Sequence, residues 1–292
     1  MIPKEILKKI RQIQIRTRHM VNDVFAGQYH SVFKGQGMEF EEVREYVPGD
    51  DIRSIDWNVT ARMGHPYVKK FMEERELTVM LVVDISASNT FGSSSQLKKD
   101  LSAEIAAILA FSAIQNNDRV GLILFSDVVE CYLPPKKGLS HVLRVIREVL
   151  YFKPENQKTD VQPALDFLNH IATRKAVTFL ISDFIFDAPF DKPLTVTAKR
   201  HDLTGIVIGD KREHAWPKAG IVDWEDAETG KRYLVDTSDA DIRHALTTYQ
   251  SQQRTRLLKT LGRCGADTIE VYAGEPYEKD FINFFKMRER RR

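Results

Sequence analysis

Asp84, Ser86 and Ser88 stand at alternate positions of the run Asp84-Ile85-Ser86-Ala87-Ser88, one carboxylate followed by two hydroxyls. At the end of a strand, such oxygens can all turn towards one point. A second carboxylate, Asp183, closes another apolar run, Ala176 to Ser182. Between the two, Thr159 and Asp160 sit just before a helical pattern. A donor set of carboxylate and hydroxyl oxygens, without His or Cys, suits a hard divalent cation, Mg²⁺ or Mn²⁺, that keeps several of its waters. Alone, the Asp-x-Ser-x-Ser spacing is a weak signal and better describes a strand-end turn with an N-cap. Three segments arriving in this chain order are a stronger signal, because ligands of open α/β sheets bind beyond the carboxyl ends of the strands.

The elements that must position these residues are legible from hydrophobic pattern. Leu77 to Val83, Val120 to Phe125, Ala176 to Ser182 and Leu203 to Ile208 are continuous apolar runs rich in β-branched residues, as strands covered on both faces should be. Val128 to Leu133 is a shorter strand. Leu97 to Ile114, Leu139 to Leu150 and Val161 to Ile171 read as intervening helices. Such alternation implies crossovers and an α/β fold with an open, mostly parallel, doubly wound sheet. Gly220 to Trp224 and Arg232 to Asp236 suggest a hairpin, and Ala240 to Leu261 a long helix. Thr268 to Tyr272 and Glu278 to Met287 complete the pattern as a strand and a helix.

The sheet domain is expected over residues 77–292, with residues 1–76 an appended helix-and-loop element packed on it. Ile2, Ile6, Ile10 and Ile13 recur at helical spacing, Ala26 to Gly37 reads as an extended loop, and polar Glu39 to Tyr46 as a helix. Val47-Pro48-Gly49-Asp50-Asp51 is a turn in which Asp50 or Asp51 would cap a short helix, and Tyr67 to Met72 alternates like a strand.

Net charge is +2, since 43 Lys and Arg nearly cancel 41 Asp and Glu, which gives no general support for nucleic-acid binding. Both ends are locally basic, as in Lys286-Met287-Arg288-Glu289-Arg290-Arg291-Arg292. Such runs are either solvated helix faces or contacts for an acidic partner or an anionic membrane surface. Two cysteines make no disulfide framework, and neither a signal-peptide core nor a membrane-length apolar run is present. A cytoplasmic protein without a membrane span, peripheral contact apart, is the expectation.

Asp84-x-Ser86-x-Ser88, Thr159 and Asp183 resemble the metal-ion-dependent adhesion site of von Willebrand factor A domains. Asp118 to Ser126 (DRVGLILFS) resembles the second-strand signature of those domains. The segment Phe40 to Trp57 (FEEVREYVPGDDIRSIDW), continuing through Thr60-Ala61-Arg62, is similar to the hallmark of the bacterial family called domain of unknown function 58. With Leu180-Ile181-Ser182-Asp183-Phe184, the resemblance spans most of the chain. It implies an A-type domain that often accompanies MoxR-type AAA+ ATPases. Ser86 and Ser88 would then ligate the metal directly, Thr159 directly or through water, and Asp84 and Asp183 directly or as acceptors behind the ligands. The sequence departs from the pattern at Gln157-Lys158, where a Gly pair is common.

Two classes of function fit such a site. In a binding module, one open position on the ion takes a partner's Asp or Glu, and by resemblance the partner is a MoxR-type AAA+ ATPase. The alternative is a metal-dependent hydrolase or phosphotransferase, which needs a nucleophile or base beside the ion. An aspartyl-nucleophile phosphatase would carry Asp where Ser86 stands, and neither a P-loop nor a Gly-x-Ser-x-Gly elbow is present. The binding module is therefore the reading favoured. The charged cluster Asp50-Asp51-Arg53-Asp56-Trp57 is either a second site or a set of pairs docking the N-terminal element. The eight histidines lack ligand spacing, Cys131 reads as a small buried hydrophobe, and Trp216 and Trp224 as partly buried beside the hairpin.

Overall fold

The computed structural model describes residues 10–13, 15, 39–72, 76–90, 96–156, 158–186, 188–214, 217–225 and 230–291. It divides into two compact units, one running from Phe33 to Leu77 and the other containing Thr78–Arg292. Residues 10–13 and 15 are helical, in line with the isoleucine spacing, whereas the rest of that helix and the loop Ala26 to Gly37 lie outside the described residues.

In the smaller unit, β1 (Glu39–Glu45) pairs antiparallel with β2 (Tyr67–Met72). The helix expected for Glu39 to Tyr46 is thus a strand. Its Glu and Arg residues favour helix locally, and pairing with a distant strand overrides that preference. A 3₁₀ turn (Ile52–Ser54) and α1 (Trp57–Met63) fill the connection. Asp51 caps the turn by accepting from the Arg53 N–H. Asp56 caps α1 through the Asn58 and Val59 N–H groups and faces Lys69 Nζ at 3.4 Å. Asp50 takes the Arg44 guanidinium on both oxygens, at 2.6 and 2.8 Å. The carboxylates of the charged cluster therefore pair within their own unit.

The larger unit is built on six strands: β3 (Thr78–Asp84), β4 (Arg119–Phe125), β5 (Val129–Lys136), β6 (Val177–Ser182), β7 (Asp202–Gly209) and β10 (Asp267–Tyr272). They lie in the order β10-β7-β6-β3-β4-β5, all parallel except β5, which runs antiparallel at the edge. The connecting helices are α2 (Lys98–Gln115), α3 (Leu139–Tyr151), α4 (Gln162–Ile171), α5 (Asp191–Arg200) and the short α6 (Lys211–His214). The hairpin β8 (Ile221–Glu225) and β9 (Arg232–Asp236), then α7 (Ala240–Cys264) and α8 (Glu278–Arg290), complete the chain. Helices α5 and α6 lie in a stretch whose apolar pattern is too weak to mark a helix locally. Leu165, Leu168, Leu194, Leu261 and Cys264 from α4, α5 and α7 pack on Met80, Val82, Ile123, Phe125 and Leu180 from the central strands. Helix α2 is buried on almost every side, which explains its uniformly apolar middle.

Strand order reverses at β3: β4 and β5 follow on one side, and β6, β7 and β10 on the other. The crevice between the carboxyl ends of β3 and β6 is therefore the topological switch point, where such sheets bind ligands. Three smaller expectations need correction. Trp224 is exposed, because the two-stranded hairpin is too small to cover it, and its ring lies against Tyr233 across the ladder. Cys131 is half-buried, since β5 is an edge strand, and Trp216 lies outside the described residues. The C-terminal basic run is partly paired: Arg288 and Arg291 hold Asp202 and Asp267. Among the described residues no helix is long and apolar enough to cross a membrane.

Candidate functional site

Asp84 is the last residue of β3, level with Phe125 of β4, and the Ile85 N–H donates to the Phe125 carbonyl. The carboxylate is buried. Its Oδ1 accepts from the Ser86 N–H at 2.9 Å and its Oδ2 from the Ser182 hydroxyl at 2.6 Å, which ties the tips of β3 and β6 together. The chain then turns through a 3₁₀ segment, Ala87–Thr90, that brings Ser86 Oγ and Ser88 Oγ to 3.1 Å. Asn89 closes the turn by donating from Nδ2 to the Asp84 carbonyl. Its Oδ1 is buried and has no hydrogen-bond partner among the described residues.

Asp183 follows β6 and is also buried. Its Oδ1 accepts from the Ile185 N–H at 3.2 Å. Its Oδ2 receives the ammonium of Lys98, the first residue of α2, at 3.0 Å. Lys98 Nζ also donates to Glu213 Oε1 of α6 at 2.7 Å. Burial opposes the charge on Lys98, yet Asp183 and Glu213 outweigh it and hold the ammonium above its ordinary pKa. For Asp84 the balance is the reverse. Burial, then the like charge of Asp183, push its carboxyl above the usual carboxylate range despite the hydrogen bonds from Ser182 and Ser86.

Thr159 comes to the same edge beside the end of β4. The Asp160 N–H donates to the Ser126 carbonyl, just beyond the end of β4. Glu130 anchors the approach to Thr159 by accepting from the Ser126 hydroxyl at 2.7 Å and from the Asn156 and Glu155 N–H groups. Thr159 is buried while Lys158, its neighbour in sequence, is exposed and so is solvated rather than enclosed in the site. The cation that does stand there is Lys98.

All five residues singled out from sequence thus reach one sheet edge, Asp84, Ser86, Ser88 and Asp183 at the switch point and Thr159 beside β4. Sequence reasoning missed Ser182, Asn89, Lys98 and Glu213. Ser182 was legible as the hydroxyl preceding Asp183, but nothing local marks the others. Among the described residues no three of His, Cys, Asp and Glu are placed to hold a metal ion by themselves, so any ion here would rely on hydroxyls beside the two carboxylates. These hard oxygens fit a small divalent ion. In an octahedral Mg²⁺ shell, neighbouring oxygens lie about 2.9 Å apart, close to the separation of the two serine hydroxyls. A divalent ion would also relieve the repulsion between Asp84 and Asp183. Neither serine hydroxyl has a histidine partner among the described residues.

The comparisons with known proteins bear on fold and family. Uncharacterised proteins of Mycobacterium tuberculosis and Mycobacterium bovis are 29% identical over 285 residues, covering 96% of this chain and 89% of theirs. The structure of the conserved hypothetical protein BatB from Bacteroides thetaiotaomicron superposes with a TM-score of 0.50 at 14% identity, over 73% of this chain and 99% of that one. That likeness concerns the fold. The VWA domain of SpRpn10 aligns more distantly, at 10% identity and a TM-score of 0.40, over 72% of this chain and 95% of that domain. The model of the family described as protein of unknown function DUF58 matches residues 42–256, which includes part of the smaller unit and most of the sheet. By that match the chain belongs to the DUF58 family, and its larger unit is the open, mostly parallel sheet expected from the apolar runs of the sequence.

Proposed function

We propose that this protein is a non-enzymatic, metal-dependent binding module that takes Mg²⁺ or Mn²⁺ at the tips of β3 and β6. Ser86, Ser88 and Thr159 would supply hydroxyls, with Asp84 and Asp183 as ligands or as acceptors behind them. The observation that carries the reading is the hydroxyl pair of Ser86 and Ser88 at 3.1 Å, set beside two buried carboxylates at the switch point. When bound, the ion supplies an open coordination position that attracts an anionic oxygen. The chain's own residues hold the candidate donors in place: Ser182 and the Ser86 N–H orient Asp84, and Glu130 holds the approach to Thr159. Exposed Val128 and Ile185, beyond β4 and β6, offer an apolar rim to a protein surface. A partner's Asp or Glu would complete the coordination. Resemblance to the family makes a MoxR-type AAA+ ATPase the partner of choice.

Isothermal calorimetry with Mn²⁺ on wild type and Asp84→Ala is the first test. Binding with a dissociation constant on the order of a millimolar, lost in the variant, is the expected result. Equal binding by both proteins would remove the site. The purified MoxR-type ATPase from the same genome should bind wild type in Mg²⁺, and neither wild type in EDTA nor the Ser86→Ala/Ser88→Ala double variant. Metal-dependent hydrolysis of a phosphate ester that disappears in Ser86→Ala would replace the module by an enzyme.

A further inference from the structure

Lys98 is the first residue of α2, and its side chain is 1% exposed. Both features oppose a positive charge. Burial strips the ammonium of water, and the first turn of a helix repels cations. Two carboxylates of different character offset this. Asp183 is buried at the candidate metal site, whereas Glu213 lies towards solvent with its side chain 23% exposed. Glu213 is itself held in place. Its N–H donates to the Asp210 carbonyl, and its Oε2 accepts from the Asp210 N–H at 3.1 Å, leaving Oε1 for the lysine. Asp183 Oδ1 takes the Ile185 N–H, so the oxygen that Lys98 holds is Oδ2.

We infer that Lys98 is a tethered counter-cation that competes with the divalent ion for Asp183, and that Glu213 receives its ammonium when the ion takes that carboxylate. The inference rests on the metal reading proposed above. A divalent ion and an ammonium around one buried carboxylate repel each other strongly where the effective dielectric is low. Transfer of the ammonium fully to Glu213 relieves that repulsion without leaving either charge unpaired. Without the divalent ion, Lys98 keeps Asp183 from standing as an uncompensated charge beside Asp84, so the sheet edge holds its shape. The same arrangement weakens ion binding and makes it responsive to whatever draws Glu213 or α6 away.

The test is a Mn²⁺ titration of the full chain, followed by electron paramagnetic resonance of the free ion. The proteins compared are wild type, Lys98→Met, Glu213→Gln and the double variant. Lys98→Met should bind Mn²⁺ at least about tenfold more tightly, and Glu213→Gln about threefold more weakly, than wild type. The double variant should match Lys98→Met, because Glu213 acts through the lysine. Lys98→Met should also melt lower in metal-free buffer and regain more stability from Mn²⁺ than wild type does. Unchanged or weaker binding by Lys98→Met overturns the inference, as does a Glu213→Gln effect of equal size in both backgrounds. Should Lys98→Met fail to fold, Lys98→Gln removes the charge while keeping a hydrogen bond to Asp183, and is read in the same way. Wild type and all variants silent to Mn²⁺ would instead overturn the metal reading itself.

Discussion

Phe184, the residue after Asp183, is held at a φ of 57°, in the left-handed region that bulky side chains avoid. Its N–H donates to the Ser182 hydroxyl, the group that also donates to Asp84, so one serine organises the ends of both strands. The turn is kept by packing. The Phe184 ring lies over Gly205 of β7, where a Cβ would meet its Cζ at 3.2 Å and a Leu261 methyl at 3.4 Å. Glycine serves close approach there and not backbone freedom. Gly205→Ala should therefore cost about 1–3 kcal/mol by pushing the ring out of place, read from urea denaturation. A stability equal to wild type would show that the ring moves freely and that its packing does not hold the turn.

At the scale of elements, the ion pairs that fasten α8 to the sheet centre on Arg288, with Arg291 adding a bond to Asp267. Arg288 places its guanidinium on both oxygens of Asp202 at 2.6 and 2.7 Å and on Asp267 at 3.3 Å. These residues begin β7 and β10, and the same guanidinium covers the Phe284 ring at 5.6 Å. A planar donor fork is the chemistry this needs. Arg288→Ala should destabilise the protein by about 2–3 kcal/mol, and Arg288→Lys should restore only part of it, because the ammonium cannot grip both carboxylates. Equal denaturation midpoints for the three proteins would mean that apolar contacts of Phe281, Phe284 and Phe285 alone seat the helix.

At the scale of the whole molecule, the two units differ in how they are stabilised. The sheet unit contains a continuous apolar core in which the central residues of β3, β4 and β6 are inaccessible to water. In the Phe33–Leu77 unit, Val68 is the one buried residue among those whose side chains are described, and order is carried by caps, ion pairs and a two-stranded ladder. Isolated two-stranded ladders are marginal in water, and burial this slight does not offset chain entropy. A peptide comprising residues 33–77 should show no cooperative thermal transition by circular dichroism. A sharp, reversible melt would show that it is an independent domain.

The alternation of apolar runs with helical patterns was enough to define the sheet, because strands buried on both faces must be continuously apolar and crossovers between parallel strands must be long. Asp84, Ser86, Ser88 and Asp183 were legible for a related reason: carboxylates and hydroxyls directly after buried strands fall on the carboxyl edge of whatever sheet those strands make. Chain order does not reveal neighbours, and only the tertiary structure placed β6 beside β3, bringing Ser182 onto Asp84. Glu39–Glu45 was misread because its helix-favouring residues gain a strand partner 27 residues or so away, a non-local term absent from local propensity. Lys98 and Glu213 were invisible for the most general reason. A lysine opening a helix and a glutamate in a polar turn are ordinarily solvated, and only the fold, by burying one against Asp183 and holding the other within 2.7 Å, makes them part of the site.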